Sequence, residues 1–188
     1  LQQPSTVLPI PEAIAHPADG LELFRVWRST EATYVGWFVG DEWTSTNFAQ
    51  ITADFARELM NLQSRDDAVQ NSDIVALALG DVHEPQADFS GRYGGTASTR
   101  PNDVAEHMLP IPVPADEIED VYEVARGWAD GKRLQVSLRE DILMDHNRAA
   151  WIILQLIQHA ANALQQRDGR DFDDLVEEIS AQVRNLGT

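Results

Sequence analysis

Two short patterns, Arg25-x-Trp27 and Arg126-x-Trp128, join residue types able to hold anions or stack on sugars. A guanidinium offers a planar fork of donors, and an indole offers a flat face to cations. Residues two apart in a strand share a face. Strict alternation therefore sets Tyr122, Val124, Arg126 and Trp128 on one side, with Ala125, Gly127 and Ala129 on the other. An Arg among large apolar neighbours must be paired or stacked, because burying a lone charge is costly. Two arrangements meet that need. One is an Arg–carboxylate pair between the two halves of the chain, or a guanidinium stacked on Trp. The other is an anion or sugar site whose ligand-binding residues are Arg25, Trp27, Arg126 and Trp128.

The remaining chemistry is sparse. The five histidines are His16, His83, His107, His146 and His159. Asp81-x-His83-Glu84 and Asp145-His146 juxtapose donors, but neither gives a helical His pair or a recognised metal spacing. Solvated turns account for them, and His159 reads as a core histidine. The adjacent pairs Asp66-Asp67, Asp173-Asp174 and Glu177-Glu178 diverge rather than converge. Arg92-Tyr93-Gly94-Gly95-Thr96 lacks the Gly-Lys-Ser/Thr of a phosphate loop. No Gly-x-Ser-x-Gly elbow or Ser-x-x-Lys occurs. Accordingly no catalytic residue, metal ligand or cofactor is assigned.

Composition narrows the classes further. Among 188 residues, 14 are basic and 31 acidic, a formal charge of −17. Such acidity disfavours nucleic acid and anionic membrane surfaces as partners. No run approaches the roughly 20 apolar residues of a membrane span. The absence of Cys excludes disulfides and thiolate chemistry. The opening Leu1 to Thr6 has neither a basic nor an apolar signal region, so a cytoplasmic location is the default expectation.

The elements that must position these residues are organised by a repeat. Leu8-Pro9-Ile10-Pro11 recurs as Leu109-Pro110-Ile111-Pro112, at an offset of 101. The same offset pairs Asp19 with Asp120, Glu22 with Glu123, Arg25 with Arg126, Trp27 with Trp128, Val35 with Val136 and Ile51 with Ile152. Internal self-similarity of this kind signals duplication. The reading is two modules, 8–82 and 109–188, joined by a Gly/Pro-rich linker over 83–108. The acidity is shared by both modules.

Each module opens with a Pro-rich extended lead. Strands follow at Leu21–Arg28 and Thr33–Val39, with counterparts at Val121–Ala129 and Arg133–Arg139, rich in β-branched and aromatic residues. Asp130-Gly131 suits a hairpin turn. Phe48, Ile51, Phe55, Leu59 and Leu62 form one apolar helical stripe, capped by Thr46 or Asn47. Its counterpart, with Ile152, Ile153, Leu156, Ile157, Ala160 and Leu164, has a broader apolar face and is expected nearer the centre. A last helix spans Phe172 to Asn185. The repeat makes Ser72 to Leu79 its counterpart, although composition there suits a buried strand equally. One module of this size has a marginal core, so the expected fold is α+β. Two diverged ββαα modules would pack as a pseudo-twofold dimer, with an antiparallel sheet and helices on one face.

The run Asp120 to Trp128, then Gln135 to Arg139, then Ala149 to Leu164 resembles a bacterial family of unknown function, domain-of-unknown-function family 5076. The family pattern is an Arg-x-Trp strand, a Val-x-Leu strand and a helix with Trp, Asp and Arg-His positions. Those helix positions fall on Phe48, Asp54, Arg57 and Glu58 in the first module, and on Ala149, Gln155, Gln158 and His159 in the second. Each module keeps part of the pattern. The resemblance implies single modules of this size and no assigned activity.

The functional expectation is a non-enzymatic interaction or scaffold protein with an unknown protein or small-molecule partner, and possible homo-oligomers. The alternative is an anion- or carbohydrate-binding module with its site at the interface of the two repeats.

Overall fold

The computed structural model describes residues 7–14, 19–29, 33–40, 42–63, 72–80, 109, 121–139, 142 and 145–186. They form two compact units, one from the described residues of 1–39 and 88–139, the other from those of 40–87 and 140–188. The expected linker over 83–108 and His16, His83 and His107 lie outside the described residues.

The first unit is a four-stranded antiparallel sheet of β1 (Leu21–Arg28), β2 (Thr33–Trp37), β3 (Tyr122–Ala129) and β4 (Leu134–Leu138), in the order β2-β1-β3-β4. Each hairpin joins one central strand to a short edge strand. The β3–β4 turn is held by Asp130, whose Oδ1 accepts from the amides of Lys132 and Arg133 at 2.8 and 2.9 Å. Gly131 supplies the positive φ of 81° that this turn requires.

Along both β1 and β3 all six inner residues are buried. Strict in–out alternation is thus not what shapes the centre of this sheet. Two β-bulges break it, one between Glu22 and Phe24 on β1, the other opposite Val26 and Trp27 on β3. Each extra residue rotates its strand, so the side-chain alternation restarts on the far side of the bulge. Phe24 lies directly across from Gly127, where a Cβ would stand 2.2 Å from the Phe24 ring. The missing side chain makes room for the aromatic ring, which also packs at 5.5 Å on Trp37.

The described elements of the second unit are helices: α1 (Ser45–Gln63), α2 (Ser72–Gly80), α3 (His146–Asp168) and α4 (Phe172–Leu186). The segment of doubtful periodicity, Ser72–Gly80, is a helix. The buried stripe of α1 includes Phe48, Phe55 and Leu59, as its spacing requires. Its start lies at Ser45, before both expected caps. Asn47 nonetheless serves the end of the helix by accepting from the Thr44 amide and hydroxyl at 2.9 and 3.2 Å. On α3 the cap is Asp145, which accepts from the amides of Asn147 and Arg148. Asp171 does the same for Asp173 and Asp174 at the start of α4.

α3 packs against α1, α2 and α4, and α1 packs also against α4. That position accounts for the wide apolar face of α3, since three neighbours need three contact surfaces. Glu178 of α4 ties the unit further by accepting from the Ser45 hydroxyl and pairing with Arg170.

Candidate functional site

Arg25 and Arg126 are paired residues at the middle of the β1–β3 ladder. Both are buried, as are Trp27 and Trp128. Each guanidinium lies over the Trp two residues on, at 5.0 Å for Arg25 and 5.8 Å for Arg126. All four residues singled out by their spacing therefore lie on the two central strands of one sheet, with the two arginines paired between them.

Two further residues complete the arrangement: Glu22 and Glu123. Arg25 Nε donates to Glu123 Oε1 at 2.7 Å. Arg126 Nε lies 2.7 Å from Glu22 Oε1, close as an ion pair though not aligned as a hydrogen bond. The contacts within each strand are longer, 3.5 Å for Arg25–Glu22 and 3.3 Å for Arg126–Glu123. Both carboxylates are fully buried at the side chain. Two guanidiniums and two carboxyl groups thus alternate in a closed quartet. Such an arrangement meets the cost of burying charge only if the remaining polar atoms are also engaged.

Most of them are, by the two Pro-rich leads. Glu123 Oε2 accepts from the Leu8 amide at 2.7 Å, and Arg126 Nη1 donates to the Leu8 carbonyl at 3.0 Å. Glu22 Oε2 accepts from the Leu109 amide at 2.5 Å, and Arg25 Nη1 donates to the Leu109 carbonyl at 2.9 Å. Each Glu–Arg pair of one strand therefore grips one leucine's main chain by both its polar groups. Ser137 adds a third bond on the first lead, donating to the Pro9 carbonyl at 2.7 Å.

Burial drives the Glu22 carboxyl up to about 7, against the pull of Arg25, Arg126 and the Leu109 amide. Desolvation outweighs attraction because the charged form gives up water on every side.

The carboxylates escaped the alternation argument, which sets Glu22 and Arg25, three residues apart, on opposite faces. The bulges bring them to the same side. The available signal was the retention of Glu22 and Glu123 at the same offset as the two arginines.

The helix positions of the family pattern do not form a comparable cluster. On α1, Asp54 pairs with Arg57 at 2.5 Å, with the Arg57 side chain about half exposed. On α3 the corresponding Gln155 and Gln158 are buried, and Gln155 Nε2 donates to Gln158 Oε1 at 3.4 Å. A neutral amide pair is the cheaper one to bury. His159 is buried on α3, and desolvation lowers its pKa to about 4, so it is neutral near pH 7. Among the described residues no three His, Asp or Glu gather as a metal site would require. No helix among them is long and apolar enough to cross a membrane.

Neither a curated protein nor a solved structure matches the chain. Residues 108–185, which include β3, β4, α3 and nearly all of α4, match the family described as Domain of unknown function (DUF5076).

Proposed function

We propose that this chain is a non-catalytic interaction or scaffold protein built from two diverged ββαα modules related by a pseudo-twofold axis. Three elements of one module begin 101 residues before their counterparts: Leu21 and Tyr122, Thr33 and Leu134, Ser45 and His146. The β1–β3 register supports the same relation. Exchanging every residue with its counterpart turns Phe24↔Gly127 into Val26↔Ala125 and Leu21↔Ala129 into Arg28↔Tyr122, all of them observed pairs. Arg25↔Arg126 maps onto itself, so the axis would pass between these two residues. The covalent pair would stand in for a symmetric homodimer.

The scaffold reading rests on one observation. Among the described residues, the buried cations are Arg25 and Arg126, and both are engaged by the protein's own carboxyl groups and carbonyls. A thermal-shift screen of sugars, nucleotides and organic anions tests it. A specific ligand at 100 times its Kd would add about 2.7 kcal/mol, which is about 5–10 °C in Tm for a chain of this size. The scaffold reading expects no such shift. A shift that disappears in Trp128→Phe would overturn it.

The second reading is a module binding a small anion or carbohydrate between the repeats, through Arg25, Trp27, Arg126 and Trp128. Its support is the pair of indole Nε1 groups of Trp27 and Trp128, buried without a hydrogen-bond partner beside the quartet. The same screen decides it, with the opposite expected result.

A further inference from the structure

We infer that the Glu123–Arg126 pair is a recognition site for the main chain of an extended, proline-alternating peptide. Leu8–Pro11 is its resident ligand, and the same sequence offered on a separate polypeptide competes for the site. The proposal deepens the interaction reading above and rests on it.

The contacts read backbone. Glu123 takes the Leu8 N–H, Arg126 takes the Leu8 C=O, and Ser137 takes the next carbonyl, that of Pro9. One residue held by both its donor and its acceptor is the logic by which an extended peptide adds to a sheet. Here buried, charged side chains replace the neighbouring strand, and bonds to charged groups are the stronger kind. The three gripping residues lie 115 to 128 positions away along the chain, so the lead is held as a foreign segment would be.

Ligand chemistry follows from the sequence Leu-Pro-Ile-Pro. Proline carries no N–H, so this segment presents an amide donor only at every second residue. A site with one carboxylate acceptor for Leu8 leaves no donor at Pro9 to be satisfied. Proline also holds its predecessor extended, so Leu8 reaches the site with little conformational entropy left to lose. Leu8 and Pro11 are buried while Pro9 is exposed, which gives the segment an inward and an outward side. The partner class is thus an extended peptide with an apolar residue directly before proline, a free N–H on that residue and a second proline two positions later. Leu109 is gripped in the same way by Glu22 and Arg25, so the chain carries this recognition twice.

The test keeps the folded protein intact until the last step. A protease site replaces residues 15–18 in the full chain, which is folded, purified and then cut. The freed lead is followed by gel filtration and mass spectrometry. The expected result is that residues 1–14 co-elute with the remainder at 50 μM. Excess synthetic peptide of the same sequence should chase them off, while a peptide N-methylated at Leu8 should be at least tenfold weaker. In Glu123→Gln, cut in the same way, the lead should leave at least tenfold faster. A lead that separates in the first column passage would overturn the proposal, and so would equal chasing by both peptides. Neither outcome touches the ligand screen that tests the scaffold reading, so the two can fail separately.

Discussion

Arg25 and Arg126 sit directly opposite each other across the central strand pair, and each turns its Nε to a carboxylate on the other's strand at 2.7 Å. Two like charges in register normally oppose pairing. Here they fasten it, because every attraction between β1 and β3 is shorter than the corresponding one within a strand.

Removing one member should therefore cost more than any surface pair would. Arg126→Ala strands Glu22, whose other cation, Arg25, is 3.5 Å away. The expected loss is about 3–5 kcal/mol in urea unfolding. Adding Glu22→Ala should cost less than the sum of the two single losses, by 1 kcal/mol or more. Strict additivity would mean that the two groups are not coupled.

The pH dependence should divide into two opposed parts. The folded state holds Glu22 at about 7, above its ordinary 4.5, so its contribution is present below pH 4.5 and lost as pH rises to 7. His159 is held at about 4, below 6.5, so its contribution is present above pH 6.5 and lost as pH falls to 4. The slopes oppose each other from pH 4.5 to 6.5, each at most about 1.4 kcal/mol per pH unit. Relative to wild type, Glu22→Gln should gain stability as pH rises through this window, and His159→Gln should lose it. Denaturant midpoints measured at half-unit steps would show this, and parallel curves for all three proteins would refute it.

Gly127→Ala should destabilise by about 1–3 kcal/mol, because the new methyl meets the Phe24 ring. Trimming that ring in Phe24→Leu/Gly127→Ala should return part of the loss. A double variant less stable than the sum of its parts would show that the ring is not the obstacle. Thermal melts are sufficient to tell.

The proposed two-module organisation predicts how fragments behave. Residues 1–95 and 96–188 each hold two of the four described strands and two of the four described helices. Co-expressed, they should purify as a one-to-one complex with a single cooperative melt. A fragment that melts cooperatively by itself as a monomer would contradict the shared core.

Much of the architecture was legible because local chemistry and periodicity agreed. Leu21–Arg28 reads as a strand, and Phe48 to Leu62 as a helical stripe. Asp130-Gly131 reads as a turn by its residue types alone. The helix at Ser72–Gly80 was not legible by composition, since apolar residues in an unbroken run carry no period. In the site, the arginines and tryptophans could be read but the carboxylates could not. A bulge is a displacement of one residue, and nothing in Glu22-Leu23-Phe24 marks it. The grip on Leu8 and Leu109 was equally hidden, since it depends on backbone atoms that every residue shares.

The strand order has a consequence for synthesis. β1 lies between β2, which follows it at once, and β3, whose first residue is the 101st after its own. At about 5–20 residues per second, translation leaves β1 waiting about 5–20 s for that neighbour. Through that interval the sheet can be no more than the two-stranded β1–β2 hairpin, which alone is barely stable in water. Its buried-to-be carboxylate and guanidinium, Glu22 and Arg25, keep the open edge charged and hydrated. The groups that lock the finished sheet would thus also guard the unfinished one against premature association.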